Sequence, residues 1–339
     1  MSRPAAVSYV MPVLNEARRL EVAVESVLAQ DYPGEQDVIV AVGPSTDGTH
    51  AVAQRLADRN PHVSVVDNPD AHIPAGLNRA IARATGDVVV RVDAHTELPA
   101  GYTRTMVAVL ERTGAANCGG VMKARGHGHV QRAVARAYNS PLGLGGGVYH
   151  GGGTEGPADS AYLGVFRREV LEEVGGYDES IRRGEDYELN QRIAAAGHVV
   201  WYVPDVEVTY WPRSSFPHLA QQMFATGIWR GEIVRRQRRS PVRYLLAPAL
   251  VAGLAASAVV GVAGLAGARP GPARVVHLAP VSYAAFLGFA GARALGGDGA
   301  LDRLLNVAAL ATMHLSWGLG FWKGVVAGAG DTVDRSRLG

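Results

Sequence analysis

A pair of side chains that can bind metal follows the apolar run Asp87–Val92. Asp93 comes directly after this run, and His95 lies two residues further on. Mg²⁺ and Mn²⁺ are often held by one or two such protein groups, while the oxygens of a bound diphosphate complete the coordination. Because imidazole is a softer ligand than a carboxylate, His95 favours Mn²⁺ at least as much as Mg²⁺. A solvated turn in which Asp93 caps a helix is the alternative that this pattern leaves open.

A second acidic group lies far along the chain. The segment Gly184–Leu189 brings Glu185 and Asp186 to the start of a predicted helix. Carboxylates in the first turn of a helix are stabilised by the positive end of the helix dipole, so this group alone is equally typical of a structural role. The same dipole predicts a low pKa for Asp186, which would keep its side chain ionised near neutral pH.

Polar segments also follow other predicted elements. Pro12–Glu16 follows the first strand, Ser45–Thr49 follows the second, and Gly76–Arg79 opens the third helix. Taken singly, each segment is typical of a turn or a helix N-cap, for which Asp47 or Thr49 is well suited.

These residues need a scaffold, and the first hundred positions predict one. Four short β-branched runs are typical of strands buried in a parallel sheet: Val7–Met11, Asp37–Val42, Val63–Val66 and Asp87–Val92. Apolar residues at helical spacing lie between them, so the alternation predicts βαβ units with right-handed crossovers. In such α/β sheets ligands bind beyond the carboxyl ends of the strands, which is where the polar segments fall.

The pattern is looser from about residue 115. Eight glycines fall within Gly143–Gly156, and this segment is either a disordered connector or a lid that becomes ordered over a substrate. A predicted strand at Ala161–Phe166 and helices at Arg168–Val174 and Asp186–Ala196 follow it.

Composition excludes several classes of protein. The chain has 339 residues, 47% of them hydrophobic and 19% charged, which excludes disorder for most of its length. Cys118 is the only cysteine, so the chain forms no intramolecular disulfide and no cysteine-based metal cluster. Residues 1–6 lack the apolar core and cleavage site of a signal peptide, and we expect the N-terminal part to stay in the cytosol.

Charge and hydropathy separate a head from a tail. Residues 1–230 carry 21 Lys and Arg against 26 Asp and Glu, whereas residues 231–339 carry 12 against 5. A nucleic-acid binder would carry its basic patch on the folded domain, so this profile argues against that class. It is typical of a soluble head followed by a segment that enters a membrane.

The tail contains three apolar runs. Leu245–Ala268 has 24 residues without a charge, enough to cross about 30 Å of hydrocarbon, and Val275–Ala292 and Leu304–Trp322 are similar. Five arginines precede the first run, as the positive-inside rule expects on the cytoplasmic side: Arg235, Arg236, Arg238, Arg239 and Arg243. A buried helical core is the alternative. We predict a catalytic domain at 1–235 and membrane-anchoring helices within 236–339, at about 245–268, 275–292 and 304–322, crossing two or three times.

Five motifs in order resemble one family. They read PVLNEA, VIVAVGPSTDGT, GLNRAIARATGDVVVRVDAH, GVFRREVLEEVGGYDES and GEDYELNQRI. Together they resemble family 2 glycosyltransferases with the GT-A fold, and within that family the bacterial exopolysaccharide and succinoglycan-type enzymes that carry C-terminal membrane helices. The resemblance covers roughly residues 5–235. It implies an α/β fold with a Rossmann-like, mostly parallel sheet and flanking helices.

The resemblance also implies roles for individual residues. Pro12, Asn15 and Glu16 match the segment that lines the nucleotide base and ribose; Asp47 and Asn78 match two further nucleotide-pocket positions. Asp93 and His95 match the Asp-x-Asp motif that holds Mg²⁺ or Mn²⁺ and the diphosphate. Asp186 matches the general base of the Glu-Asp motif. The neighbouring Glu185 is the second catalytic candidate, although its side chain is expected to point elsewhere on the helix start.

Three departures from the family pattern matter. Val42 or Gly43 stands where many relatives have an acid that often contacts the nucleotide base, and His95 replaces the second Asp of Asp-x-Asp. The Gln-x-x-Arg-Trp motif of processive synthases would align near Ala225–Trp229, where Ile228 replaces the arginine. This argues against a processive polymer synthase.

The resemblance therefore predicts a metal-dependent, inverting, non-processive transferase on the inner or plasma membrane, with its catalytic domain in the cytoplasm. The expected partners are a nucleotide-sugar donor, a UDP-sugar in the first place, a lipid-linked or glycan acceptor of the cell envelope, and the membrane, with no nucleic acid. A non-catalytic nucleotide-sugar-binding component of a polysaccharide complex is the alternative. A dehydrogenase would need Gly-x-Gly-x-x-Gly after the first strand, and a P-loop enzyme would need GxxxxGK[ST]; the chain has neither at the required place.

Overall fold

The computed structural model describes residues 3–144, 153–238, 240–269, 271–297 and 299–332. The strands are β1 Val7–Val13, β2 Gln36–Val42, β3 Val63–Asp67, β4 Val88–Arg91, β5 Thr96–Glu97, β6 Asn117–Ala124, β7 Gly156–Pro157, β8 Tyr162–Arg167 and β9 Val200–Tyr210. The helices are α1 Leu20–Leu28, α2 Thr49–Arg59, α3 Ile73–Arg83, α4 Tyr102–Thr113, α5 Gly128–Tyr138, α6 Pro141–Leu144, α7 Arg168–Val174, α8 Glu185–Ala195, α9 Phe216–Gln237, α10 Leu246–Leu265, α11 Leu278–Phe289 and α12 Ala300–Ala327. Shorter 3₁₀ segments occupy Val242–Leu245 and Gly271–His277, and a π-turn occupies Ala290–Ala294.

The chain divides into two compact units. The first comprises Met1–Lys123 and Gly151–Trp211, and the second comprises Ala124–His150 and Pro212–Gly339. The second unit thus groups α5 and α9 with the C-terminal helices, while the predicted domain limit at residue 235 stays a prediction. The predicted connector or lid at 143–156 falls largely on residues 145–152, outside the described residues.

The first unit is built on one sheet with strand order β3-β2-β1-β4-β8-β6-β9-β5, with β7 paired to β9. The four strands β3, β2, β1 and β4 are parallel, which confirms the four strands predicted from the β-branched runs. Beyond β4 the sheet continues with antiparallel pairs, since β8 runs antiparallel to both β4 and β6. Because β1, β2 and β4 are parallel, the loops that follow these three strands lie at the same edge of the sheet.

Side chains alternate between two apolar layers. Val38 and Val40 of β2 pack into one layer with α1, α2 and α4, whereas Ile39 and Ala41 pack into the other with α3, α7 and α8. This period of two is what a strand covered on both faces requires, and it explains why the runs are continuously apolar. Burial of both faces fixes the register, and with it the positions of the residues that leave each strand.

The antiparallel half depends on glycine. Gly120 of β6 lies so close to the carbonyl oxygen of Val206 in β9 that no Cβ would fit between them. Gly119 faces Ala161 and Tyr162 in the same way. Any larger residue at these positions would separate the strands that complete the sheet.

The second unit is helical. Among the described residues, three of its helical segments are long and apolar enough to cross a membrane: Val242–Leu265, Gly271–Ala294 and Ala300–Ala327. Their mean hydropathies are 2.2, 1.5 and 1.3. These segments overlap the three apolar runs found in the sequence, so the prediction of three C-terminal apolar helices is confirmed.

Candidate active site

Arg91 lies at the centre of an acidic cluster in the first unit. Its Nη1 atom is 2.5 Å from Oδ1 of Asp186 and 3.0 Å from Oε1 of Glu185, and its Nε atom is 3.3 Å from Oδ1 of Asp93. The Arg91 side chain is only 5% exposed. One buried guanidinium therefore joins the acid after β4 to the two acids that open α8.

Local sequence explains why these elements meet. The four residues of β4 are all buried, and Arg91 is the last of them. Gly184, which precedes α8, has φ of +81°, a left-handed conformation that glycine adopts without strain. The chain therefore turns sharply into α8 and places its first two residues over the end of β4.

Glu185 does not point away from the cluster, so that expectation is wrong. Its carboxylate shares the Nη1 atom of Arg91 with Asp186 and is almost completely buried. A single guanidinium has enough donors to bind several carboxylate oxygens in one plane, which a lysine could not do.

The cluster carries a surplus of negative charge. One guanidinium among three carboxylates leaves a formal charge of −2 when all of them are ionised. Burial lowers the pKa of Arg91, but the carboxylates of Asp186, Asp93 and Glu185 outweigh it and raise that pKa well above its usual value. Arg91 is therefore a fixed cation, and any change of protonation falls on the acids.

The low pKa expected for Asp186 is wrong. Burial, together with the like charges of Glu185 and Asp93, raises the pKa of Asp186 to about 7, although Arg91 opposes this shift. The hydroxyl of Tyr177 donates a further hydrogen bond of 3.3 Å to Oδ1. The helix dipole contributes only about 0.3–1 kcal/mol, less than the burial of a carboxylate among like charges. A carboxylate with a pKa near the working pH is a better general base than an ordinary aspartate.

Asp93 and His95 lie side by side next to this cluster. The Nε2 atom of His95 is 3.9 Å from Oδ2 of Asp93, and its Nδ1 atom is 3.6 Å from Oε1 of Glu16. The imidazole also lies edge-on to the ring of Tyr210, with centroids 6.4 Å apart. The first polar loop and the end of β4 thus meet at His95.

The donor set suits a divalent cation that shares its coordination with a substrate. Across the described residues, no three His, Cys, Asp or Glu side chains converge as a complete protein cage for a metal. Mg²⁺ and Mn²⁺ bound with a diphosphate need only one or two protein ligands, and Asp93 and His95 are of the right types. The surplus charge around Arg91 also fits a dication, because a cation nearby would neutralise it.

Hydrogen bonds join the loop after β1 to the loop after β2 at the same edge of the sheet. The backbone N–H of Thr46 donates to Oδ1 of Asn15 at 2.8 Å, and Asn15 itself has φ of +55°, a conformation that asparagine tolerates. The hydroxyl of Thr49 accepts from the N–H of Glu16 at 2.8 Å, and the Asp47 carboxylate accepts from Thr49. Asn15, Glu16 and Asp47 therefore form one joined wall.

Asn78 and Pro12 lie elsewhere around the site. The amide of Asn78 donates to the carbonyl of Tyr177 at 2.8 Å and accepts from its N–H at 2.8 Å, and it also donates to Glu179 at 2.9 Å. These bonds tie α3 to the loop that leads to α8. Pro12 is in β1 and faces Gly76 of α3. The structure does not join either residue directly to the Arg91 cluster.

Two residues that hold the acids of the cluster in place, Arg91 and Tyr177, were not predicted from the sequence. A signal for Arg91 was present, since it ends an otherwise apolar run, and a charge on a buried strand requires partners. Tyr177 carried no comparable signal, because an aromatic residue before a helix is usually only part of the core.

The sequence has clear relatives among known proteins. Residues 8–175 match the family described as Glycosyl transferase family 2. The chain is also 34% identical over 316 residues to the succinoglycan biosynthesis protein ExoA of Rhizobium meliloti, covering 93% of both chains. The chain belongs to glycosyl transferase family 2.

A further curated protein and a solved structure are also similar to this chain. A dolichyl N-acetyl-alpha-D-glucosaminyl phosphate 3-beta-D-2,3-diacetamido-2,3-dideoxy-beta-D-glucuronosyltransferase of Methanococcus voltae is 22% identical over 240 residues, covering 68% of this chain and 74% of that one. The mannosyltransferase PcManGT of Pyrobaculum calidifontis, solved in complex with GDP-Man and Mn²⁺, superposes with a TM-score of 0.63 at 21% identity, covering 96% of this chain and 88% of that one. The expected GT-A type of α/β fold, followed by apolar helices, is confirmed.

Proposed function

We propose that this family 2 glycosyltransferase moves a sugar from a nucleoside diphosphate sugar to a hydroxyl of a cell-envelope acceptor, with inversion at the anomeric carbon. The observation that carries the proposal is the Arg91 cluster, which brings the acid after β4 and the acids of α8 together at the ligand-binding edge of the sheet. Such a cluster offers a site for the leaving diphosphate beside a base for the attacking hydroxyl.

The donor would lie against the joined wall of Asn15, Glu16 and Asp47, with Pro12 and Asn78 completing the nucleotide side of the site. Asp93 and His95 would hold Mg²⁺ or Mn²⁺. When bound, the cation neutralises negative charge that builds up on the leaving diphosphate. The cluster itself is anionic, so it repels a bare diphosphate and makes donor binding depend on that cation.

Asp186 would take the proton from the acceptor hydroxyl. Its raised pKa suits it to accept a proton near neutral pH, while Arg91 and the hydroxyl of Tyr177 fix the orientation of the carboxylate. Attack from the side opposite the leaving group inverts the anomeric centre. Glu185 shares the same guanidinium, and its role is to hold Arg91 in place.

We propose that the acceptor is an intermediate in the synthesis of an exopolysaccharide. Support comes from the 34% identity to a succinoglycan biosynthesis protein over nearly the whole of both chains. The apolar C-terminal helices suit an acceptor that is carried on a lipid at the inner or plasma membrane, with the catalytic unit in the cytoplasm. Ile228, at the place of the processive-synthase arginine, is buried in α9, which favours transfer of one sugar at a time.

A donor screen tests this proposal. The full chain, extracted in detergent, is incubated with Mn²⁺ or Mg²⁺, a lipid fraction from the producing cells, and UDP-sugars and GDP-sugars in turn. We expect release of the nucleoside diphosphate from one donor class, dependent on the lipid fraction and reduced strongly in Asp186→Asn. Binding of a donor without any release, in wild type and variant alike, would instead favour a non-catalytic nucleotide-sugar-binding component.

A further inference from the structure

Helices α10 and α11 form an apolar hairpin. The hydroxyl of Ser257 lies 2.8 Å from Nδ1 of His277, and Gly253 faces Ala279 one turn earlier in α10. The two helices therefore run antiparallel, with the connecting turn at one end and the start of α10 beside the end of α11 at the other. Only Pro248 and Ser257 are buried in α10, and none of the residues of α11 is buried. Two exposed apolar helices of this length bury their surface in the hydrocarbon of a bilayer.

The end of the hairpin opposite its connecting turn is called the open end. Among the described residues, α12 contacts the hairpin only near this open end. Trp322 donates from Nε1 to the carbonyl of Pro248 at 2.8 Å, and Gly318 packs against Ala247. His314 lies 3.2 Å from the hydroxyl of Tyr283. Further back, Val307 packs against Gly291. These partners in the hairpin belong to residues 247–251 and 283–291, the cytoplasmic end if the arginine-rich segment faces the cytoplasm.

The spacing of these contacts gives the direction of α12. Residues 307 to 322 span about 22 Å of helix at 1.5 Å per residue. A helix that crossed the bilayer beside α11 would meet successively deeper turns of the hairpin over that distance. Val307 lies beside Gly291, about two helical turns outside Tyr283. From His314 to Trp322, however, the partners of α12 stay at one level of the hairpin, so this part of α12 runs across the open end.

A second helix confirms this direction. Gly320 packs directly on the carbonyl of Phe224, and Gly328 packs on Glu232, so steps of eight residues match on the two helices. Helices α9 and α12 therefore run parallel and in contact. Among the described residues, α9 is not one of the helices apolar enough to cross a membrane. Its Glu232 is 2% exposed and pairs with Arg235 and Arg236.

The other end of α12 is likewise covered by polar side chains. Asn306 accepts a hydrogen bond of 2.9 Å from Arg136 of α5, and Asp302 lies 3.4 Å from both Arg136 and His129. If α12 spanned the bilayer, α5 and α9 would be drawn into the hydrocarbon along with it, at a high cost for their charges.

The remaining face of α12 is an apolar ridge. Its exposed large apolar side chains are Leu301, Leu304, Leu319, Trp322 and Val326. At 100° per residue these five positions fall within an arc of about 60°. The buried positions, such as Asn306 and Met313, lie on the opposite side, against α5 and α9. An apolar ridge opposite a face that packs on α5 and α9 suits a helix that lies in the membrane interface.

We infer that the chain crosses the bilayer twice, through α10 and α11, and that α12 lies in the interface with its ridge (Leu301, Leu304, Leu319, Trp322 and Val326) against the lipid. The end of α12 is then on the same side of the membrane as α9, although composition alone makes α12 a third span. The inference rests on membrane association and not on the transfer reaction.

Labelling of single cysteines tests the inference. The background is the full-length Cys118→Ala variant, which lacks the buried native thiol. Single cysteines are then introduced at three exposed positions: Gln221→Cys in α9, Arg269→Cys in the hairpin turn and Ala327→Cys at the end of α12. Right-side-out and inverted membrane vesicles are treated with a maleimide that does not cross membranes. We expect Ala327→Cys to label in the same vesicles as Gln221→Cys, and Arg269→Cys to label in the other preparation.

Fusion reporters keep the test decisive if a cysteine variant fails to fold. The wild-type chain carries at its C-terminus either green fluorescent protein, which fluoresces in the cytoplasm, or alkaline phosphatase, which is active outside it. We expect fluorescence and no phosphatase activity. Labelling of Ala327→Cys together with Arg269→Cys, or an active phosphatase fusion, would overturn the two-crossing arrangement while leaving the transfer reaction untouched. Loss of the chain from the membrane fraction would overturn membrane association itself.

Discussion

The Nη1 atom of Arg91 lies 2.5 Å from Oδ1 of Asp186, although 95 positions separate these residues in the sequence. The contact joins the last residue of a buried strand to the first turn of a helix. Because β4 is held in register by β1 on one side and β8 on the other, Arg91 has little freedom to move. The position of the proposed base is thus set by the core of the sheet.

Removal of Arg91 should therefore destabilise the first unit as well as stop the reaction. Arg91→Ala leaves buried carboxylates without their cation, a change that typically costs about 3–5 kcal/mol. Arg91→Lys keeps the charge but loses the planar fork, and we expect it to be more stable than Arg91→Ala yet poorly active. Urea unfolding of the extracted chain measures the first effect. Exposed Arg59, paired with Glu21 at 3.4 Å, supplies the control Arg59→Ala, with a loss of about 0–1 kcal/mol.

Donor binding should require a divalent cation through Asp93. Asp93→Asn removes the charged ligand, so we expect donor affinity to fall and to respond only weakly to added Mn²⁺, with the fold retained. His95→Asp should keep part of the activity and shift the preference from Mn²⁺ towards Mg²⁺, because a hard oxygen replaces imidazole. Calorimetry with and without EDTA measures both effects. Unchanged donor affinity in Asp93→Asn would remove that residue from the metal site.

The rate should depend on pH through the acidic cluster. The pKa of Asp186 is raised to about 7, and only the ionised carboxylate accepts a proton, so kcat/KM of the free enzyme should fall about tenfold per pH unit below that value and level off above it. Tyr177→Phe removes a donor to the ionised carboxylate and should move this limb to higher pH. A profile flat from pH 5 to 8 would contradict the assignment.

Asn78 should act by holding the loop before α8. Asn78→Ala breaks the three hydrogen bonds to Tyr177 and Glu179, and we expect a loss of about 1–3 kcal/mol in the free energy of unfolding together with a lower kcat. Arg79→Ala, at the next position, loses only an exposed pair with Asp70 and should change little. Equal stability of the two variants would show that this link contributes nothing.

The parallel half of the fold was predictable because its strands are buried on both faces and read as continuous β-branched runs. The antiparallel half was not. Gly119 and Gly120 interrupt the pattern of β6, and Pro204 interrupts β9, since close approach between strands overrides local propensity there. The direction of α12 was also beyond the sequence, because hydropathy counts apolar residues and does not reveal which of them face α9.

The location of the candidate site could be predicted from the sequence, but the contacts and the pKa of its residues could not. Motif order and strand ends bring Asp93, Glu185 and Asp186 to one edge of the sheet. That Arg91 binds all three depends on the register of β4 and the turn at Gly184, which only the folded chain defines. The pKa of Asp186 was predicted in the wrong direction because the helix dipole is visible in the sequence, whereas burial among like charges is not.

The central claim is that Asp186 is the general base of a glycosyl transfer, and comparison of wild type with Asp186→Asn tests it most directly. The variant keeps the size and hydrogen-bonding shape of the side chain but not its basicity. Nucleoside diphosphate release with the donor found in the screen gives kcat, and calorimetry gives donor affinity. We expect kcat to fall by about 10²–10⁴-fold, with donor affinity nearly unchanged and a smaller loss in Glu185→Gln. Equal rates for wild type and Asp186→Asn would contradict the claim, and a larger loss in Glu185→Gln would assign the proton transfer to Glu185.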